Sequence, residues 1–279
     1  MKRRRERSPI ALYAALILAC AGLAVPVQAF DVNGFLPGQG QGDVALSYTS
    51  EGYDQFWAGK TKVSDPGVGE VDLKSTSVWL QWGLADNLAL VANLPYIDAS
   101  SNGLGGFEDQ GLQDLAVLLK YRFFSSGPHS LVGGVGVRTA VQDYEANLPV
   151  DLGDNTTDAL FRLVYLFHTP VFYFSQQVGY DLRNKDAPND YPFYTELGFT
   201  AGRITYGGFY SRLIADGGTD IGDPGFTFPS NKEEYSKIGA KIYARLTDFI
   251  GLSGAYFVTQ DGRNTGDSDG FSAGAVFHF

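Results

Sequence analysis

The last ten residues of the chain, Gly270 to Phe279, read G-F-S-A-G-A-V-F-H-F and decide the fold. Side chains alternate across a β-strand with a period of two residues, so Phe271, Phe277 and Phe279 share one face with two alanines. Serine, glycine, valine and histidine lie on the other face. An apolar face opposite a small or polar face indicates a strand that separates lipid from a polar interior.

The amino terminus carries the features of an export signal. Five basic residues lie between positions 2 and 7, an apolar run follows from about Ile10 to Val25, and Val27-Gln28-Ala29 forms a small-residue cleavage site. We therefore predict a signal peptide over 1–29 and one domain over 30–279. Two alternatives remain open, a retained signal anchor and lipidation of Cys20 within Ile17-Leu18-Ala19-Cys20.

The composition of the predicted mature chain limits its chemistry. Removing 1–29 leaves 16 basic and 30 acidic residues, a net charge of 16 − 30 = −14, and no cysteine. Such acidity argues against nucleic acid as a partner, and the absence of thiols excludes disulfides and thiolate catalysis. Beyond the leader, no apolar stretch approaches the ~18–20 residues of a membrane helix.

Alternating segments of about ten residues recur along the mature chain and predict twelve strands. They span Gly42–Phe56, Val71–Gly83, Leu88–Asp98, Gly111–Phe124, Leu131–Tyr144, Thr157–Phe167, Val171–Arg183, Tyr191–Ala201, Ile204–Ala215, Glu233–Leu246, Ile250–Gln260 and Gly270–Phe279. Short and long connections alternate strictly between them. The pattern predicts an all-β fold, a transmembrane antiparallel up-and-down β-barrel of twelve strands in the bacterial cell outer membrane. A secreted soluble all-β protein, the alternative, would not require this alternation of connection lengths.

A local motif adds a family resemblance. Between Trp79 and Phe124 the chain contains W-G-L-A-D-N-L-A-L, L-P-Y at 94–96, G-L-Q-D-L at 111–115 and K-Y-R-F at 120–123. This resembles the outer-membrane barrel family named for the meta-cleavage pathway of phenol degradation, although Gln113 replaces a glycine of the family's G-x-G-D-L pattern. The resemblance implies passage of small solutes, including hydrophobic or aromatic compounds. The aromatic carboxy terminus likewise resembles the address that the barrel-assembly machinery reads.

The strand registers predict which side chains line the lumen. The candidate pore-lining residues are Asp114, Lys120, Arg122, Arg138, Arg162, Arg183, Glu196, Lys241 and Arg245. Basic residues outnumber acidic ones in this set, whereas acidic residues dominate the external loops. In a narrow, low-dielectric lumen the wall charges act more strongly than screened loop charges, so we expect a mild preference for anions. The alternative is that these side chains pair across the lumen and fill it.

The predicted function is an outer-membrane channel or transporter for small solutes, working by passive or facilitated diffusion. A barrel with a closed lumen that meets surface partners is the alternative, and a lipid-modifying enzyme is a third class. We predict no enzyme, because His129, His168 and His278 all fall near the periplasmic side, away from outer-leaflet lipid. No cofactor or metal site is predicted, since the acidic turns at 216–223 and 267–270 lack full calcium-loop spacing. Expected partners are outer-membrane lipid and lipopolysaccharide, and the loop Asp216 to Lys232 is a candidate plug through Phe226 and Phe228.

Overall fold

The computed structural model describes residues 30–64, 69–103, 106, 108–144, 152–224 and 226–279. The predicted signal peptide over 1–29 lies outside these residues, as does Cys20. No helix within the described ranges is long and apolar enough to cross a membrane.

Fifteen strands form in the described part of the chain. They are β1 (Gly42–Tyr53), β2 (Phe56–Ala58), β3 (Thr61–Val63), β4 (Val71–Ala85), β5 (Leu88–Ser101), β6 (Glu108–Leu112), β7 (Asp114–Ser126), β8 (His129–Ala140), β9 (Thr157–His168), β10 (Phe172–Leu182), β11 (Asn189–Ala201), β12 (Ile204–Asp216), β13 (Glu234–Arg245), β14 (Ile250–Arg263) and β15 (Asp269–His278).

The strands close into a barrel. Each wall strand pairs antiparallel with its neighbours along the chain, and β1 pairs with both β4 and β15, which joins the two ends of the sheet. β6 and β7 share one place in the wall, interrupted at Gln113, so the wall has twelve positions. Among the described strands, closure pairs both ends of the sheet and so avoids an open edge in lipid. The prediction of a twelve-stranded antiparallel barrel is confirmed.

The predicted strand boundaries lie within four residues of the observed ones, and three of the differences have local reasons. The first predicted strand stops at Tyr53, and Phe56 belongs instead to the small β2–β3 hairpin above the rim. The fourth is split at Gln113, whose backbone N–H bonds to the Pro95 carbonyl at 2.9 Å. The fifth ends at Ala140, four residues before the predicted Tyr144.

The two faces of the wall have opposite polarity. Large apolar side chains are about half exposed on the outside, for example Tyr121 at 50%, Phe271 at 51% and Phe277 at 47%. Serine, threonine, glutamine and lysine side chains are buried on the inside, where Gln81, Lys120 and Gln177 are almost completely covered. This is the arrangement of a lipid-facing belt around a polar lumen.

An unpredicted feature fills the periplasmic half of the lumen. The segment from Phe30 to Gln41, called here the lumen segment, runs from the middle of the barrel down to the periplasmic rim, where β1 begins. Phe30, Val32 and Leu36 are buried in one apolar cluster with the inner wall. At the rim, the Gly40 N–H donates to the Gly83 carbonyl at 2.8 Å. The external loop 216–232, the candidate plug, contributes Phe228 to the lining of the cavity on the external side, whereas the chain ahead of the first strand fills the periplasmic half.

Candidate functional site

The upper half of the lumen holds an open cavity, called here the outer chamber, with a volume of about 330 Å³. Its lining is divided. Tyr53, Leu73, Trp79, Ile97 and Phe228 supply apolar surface, whereas Asp114, Arg138, Asp181, Arg183 and Asp190 supply charge. Phe30 and Asp31 of the lumen segment form part of its floor. A cavity with one apolar and one charged wall suits an amphipathic small molecule.

Three arginines on the charged wall form a connected set of ion pairs, called here the arginine network. Its members are Arg138, Arg162 and Arg183 with Asp154, Asp158, Asp181 and Asp190. The Arg138 Nε donates to Asp158 at 2.8 Å, and Arg162 binds both oxygens of Asp181. Gly179 makes room for this pair, because a Cβ atom there would lie 2.9 Å from the Arg162 Nη1. Such pairing offsets part of the cost of burying the charges, and removing one partner would be strongly destabilising.

The lumen segment bonds to uncharged and charged groups of the inner wall. The Val32 N–H donates to Gln177 Oε1 at 2.8 Å and the Gly34 N–H donates to Ser175 Oγ at 3.1 Å. The Asp31 carboxylate accepts hydrogen bonds from Gln177 and Ser211, each at 2.9 Å. These contacts satisfy backbone groups that burial would otherwise leave unpaired.

Two further lysines of the inner wall are matched with glutamates. Lys241 Nζ lies 2.5 Å from Glu196, which also accepts a hydrogen bond from the Tyr173 hydroxyl at 2.5 Å. Lys237 Nζ lies 2.6 Å from Glu51. Lys120 differs: its Nζ donates to the Phe35 carbonyl of the lumen segment at 2.7 Å.

The nine candidate pore-lining residues thus occupy three levels of the barrel. Asp114, Arg138 and Arg183 line the outer chamber, and Lys120, Arg162, Glu196 and Lys241 are buried beside the lumen segment. Arg245 lies at the periplasmic rim, where it donates to the Thr247 and Asp248 carbonyls of its own turn. Arg122 is half-buried near that rim, and its backbone N–H bonds to Asn87.

The external loops are tied together above the chamber. Arg263 donates to both oxygens of Asp220 at 2.7 Å, and Asn264 donates to the same carboxylate at 2.9 Å. The hydrogen bonds from Arg263 lower the pKa of Asp220 to about 2. Glu233, which accepts a hydrogen bond from Thr265 at 3.0 Å, has its pKa raised by burial to about 7. The two carboxyls therefore titrate in different pH ranges.

Sequence reasoning missed the partners of the arginines and the lumen segment. Asp158 was not among the predicted pore-lining residues, yet it lies in β9 with the same parity as Arg162, and that parity alone would have placed it inside. The lumen segment has no strand periodicity. The sequence feature that could have revealed it is the apolar content of the linker between the leader and the first strand, at Phe30, Val32, Phe35 and Leu36.

The fold and this site define a class: a β-barrel of the bacterial outer membrane with a polar, partly filled lumen. The family model described as "Putative MetA-pathway of phenol degradation" matches residues 24–274. The chain belongs to that family. No curated protein matches it.

Solved structures of other outer-membrane barrels share the fold. The COG4313 outer membrane channel from Pseudomonas putida F1 is 16% identical with a TM-score of 0.74, over 91% of this chain and 100% of that one. The NanC porin is 10% identical with a TM-score of 0.52, over 85% and 98%. The translocator domain of the autotransporter NalP from Neisseria meningitidis is 10% identical with a TM-score of 0.54, over 87% and 89%. At these identities the likeness concerns architecture.

Proposed function

We propose that this protein is an outer-membrane channel for small solutes, and that the lumen segment controls how far the lumen is open. The observation that carries the proposal is the division of the lumen. A cavity of about 330 Å³ lies on the external side, and a segment held by hydrogen bonds rather than by strand pairing lies below it. A cavity on the external side and a removable barrier beneath it suit diffusion.

The divided lining of the outer chamber supports amphipathic solutes, including aromatic compounds, as the transported class. Apolar side chains such as Tyr53, Trp79 and Phe228 would receive a ring, and the opposite wall would receive a polar group. The phenol-degradation description of the family agrees with this class.

The proposal can be tested by electrical recording of the purified protein in planar bilayers. We expect discrete conductance, and a several-fold larger conductance in a variant that lacks Phe30 to Leu36. Phe228→Ala is the matched control, because it removes an aromatic side chain from the chamber while leaving the lumen segment intact. It should change conductance little. Silence of both the complete chain and the shortened variant at all voltages would reject the channel.

A barrel with a closed lumen is the second candidate, and the packing of the lumen segment favours it. Phe30, Val32 and Leu36 are buried against the wall, and this apolar contact stabilises the blocked state. In that case the function would reside in the external loops and their contacts with lipopolysaccharide or other partners. Conductance by the shortened variant alone would mean that the complete chain is closed under the recording conditions.

We also propose that the protein is not an enzyme. His129, His168 and His278 lie at the periplasmic ends of β8, β9 and β15, and the lipid that an outer-membrane acyl hydrolase acts on is at the other end. His278 does contact Asp43 at 2.5 Å and the Tyr243 hydroxyl, but Tyr243 is buried at 2% exposure and out of reach of a lipid substrate.

Phe279, whose N–H and carbonyl bond to Gly42, is the proposed recognition signal for the barrel-assembly machinery. Phe279→Ala should lower the amount of folded protein in the outer membrane.

A further inference from the structure

Lys120 is the exceptional charged residue of the inner lumen. Its side chain is fully buried, at 0% exposure, and faces inward from β7. Lys237 and Lys241 each contact a glutamate, but no carboxylate lies within 4.0 Å of Lys120 among the residues that the structure describes. Its hydrogen-bond partner is the Phe35 carbonyl at 2.7 Å. A buried ammonium is compensated better by an anion than by a neutral oxygen, so Lys120 should bind a carboxylate more strongly than the carbonyl it contacts here.

A second donor converges on the same oxygen. Gln81 Nε2 donates to the Phe35 carbonyl at 3.1 Å. Two donors, one of them cationic, therefore meet at a single acceptor. A carboxylate could accept from Lys120 with one oxygen and from Gln81 with the other, which is the usual way in which such a group is recognised.

An aromatic site lies next to this donor pair. The Phe35 ring contacts Tyr173 edge-on, with ring centroids 5.2 Å apart, and His168 edge-on at 5.1 Å. Such contacts add to the burial of the ring and fix its orientation. Phe35 thus makes two kinds of contact: its carbonyl accepts hydrogen bonds from Lys120 and Gln81, and its ring occupies the aromatic site.

We propose that Phe35 occupies a binding site for a small aryl carboxylate, which displaces the lumen segment when it binds. The covalent skeleton of Phe35 from carbonyl carbon through Cα and Cβ to the ring is that of 3-phenylpropanoate, so this compound reproduces both contacts. The carboxylate would bind Lys120 and Gln81, and the ring would bind between Tyr173 and His168. The inference rests on the proposed channel function, since it names the solute class that moves through the inner lumen.

Competition between solute and segment follows from the contacts. The segment is held by Gln177, Ser175 and Ser211, and the solute and Phe35 cannot occupy one place. A ligand that binds only the displaced state gains affinity when the competing state is removed. Deleting Phe30 to Leu36 should therefore strengthen binding of the solute, as well as widen the pore.

The test is calorimetric titration of the purified barrel in detergent micelles with three probes. They are 3-phenylpropanoate, 3-phenylpropan-1-ol and 3-phenylpropylamine, which share the ring and differ in charge. We expect the carboxylate to bind at least about tenfold more tightly than the alcohol, as for a hydrogen bond to a charged group, and the amine to bind weakest. Equal affinities for the carboxylate and the alcohol would overturn the proposal.

Two variants locate the site. Lys120→Met should lower the ratio of carboxylate to alcohol affinity about tenfold, and continued binding of the alcohol reports correct folding. Lys60→Met, on the exposed tip of the β2–β3 hairpin, is the matched control and should change neither. Should Lys120→Met not fold, Gln81→Leu makes the same test with a smaller loss. Equal carboxylate affinities in Lys120→Met and Lys60→Met would place the carboxylate elsewhere and reject the site.

The variant that lacks Phe30 to Leu36 separates this inference from the channel proposal. It should bind 3-phenylpropanoate more tightly than the complete chain. Conductance with no binding would reject the carboxylate site and retain the channel. Binding with no conductance would retain the site and reject the channel.

Discussion

The outer and inner halves of the lumen are stabilised in different ways. In the outer half, the arginine network pairs charged groups of the wall with one another, so these charges are compensated without the lumen segment. In the inner half, Gln81, Lys120, Gln177 and Ser211 bond to the lumen segment, so the wall there is completed by a removable element. Wall stability and pore opening should therefore respond to different substitutions.

The largest effect is expected where the two halves meet, at Arg162. Its side chain pairs with Asp181 and its Nε and Nη2 donate to the Phe30 carbonyl at 3.4 and 3.3 Å. Arg162→Met would leave the buried Asp181 without its closest cation, at a cost of about 3–5 kcal/mol in the free energy of unfolding. Denaturant unfolding of the barrel in micelles measures this cost.

Lys62→Met is the control for Arg162→Met. It breaks an ion pair with Asp267 whose side chains are 39% and 22% exposed. Exposed pairs contribute roughly 0–1 kcal/mol, so this variant should unfold almost like the unchanged protein. Similar losses in the two variants would show that the arginine network does not stabilise the wall.

Asp31→Ala should act on the segment and spare the wall. It removes the acceptor of two hydrogen bonds, from Gln177 and Ser211. This should destabilise the segment bound in the lumen, relative to its displaced state, by about 2–3 kcal/mol and leave the wall unchanged. The open fraction in single-channel recordings should rise by one to two orders of magnitude, while barrel unfolding stays unchanged. Asp31→Asn, which keeps one acceptor, should lie between. A lowered unfolding midpoint without a change in opening would mean that the halves are not separable.

How much the sequence predicted depends on whether a feature has a period. Alternation in β15 and β7, together with alternating connection lengths, predicted twelve strands and which side chains face inward. Parity cannot predict which inward residues meet, because that depends on the stagger of neighbouring strands. Arg138 therefore could not be paired with Asp158 in advance, although the register sets them opposite each other. The lumen segment has no periodicity and was missed for that reason.

The pairing of wall charges changes the expected ion selectivity. The predicted preference for anions rested on the excess of basic over acidic residues in the candidate set, but the structure pairs Arg138, Arg162 and Arg183 with four carboxylates within 4.0 Å. They are Asp154, Asp158, Asp181 and Asp190. We therefore expect a mild cation preference, measured as the reversal potential under a salt gradient. Arg183→Ala should strengthen it, and Arg212→Ala on the exposed outer face of β12 should not. Anion preference in the unchanged protein would restore the original expectation.

The smallest effect concerns pH at the chamber mouth. Burial raises the pKa of Glu233 to about 7, so the folded protein holds a proton there that the unfolded chain, with an ordinary value of 4.5, releases earlier. The favourable contribution is therefore complete below about pH 4.5 and is lost as the pH rises through 7. Asp220 has the opposite sign: its pKa is lowered to about 2, so its contribution to stability persists above pH 3.8 and is lost only as the pH falls through 2.

Between pH 5 and 8, Glu233 alone of this pair changes charge. Cation conductance should rise slightly across that range as the mouth gains a negative charge, and thermal stability should fall slightly. Glu233→Gln should flatten both profiles, whereas Asp220→Asn should shift them without changing their slope. An unchanged slope in Glu233→Gln would assign the titration to another group and reject the role of Glu233 in the pH response.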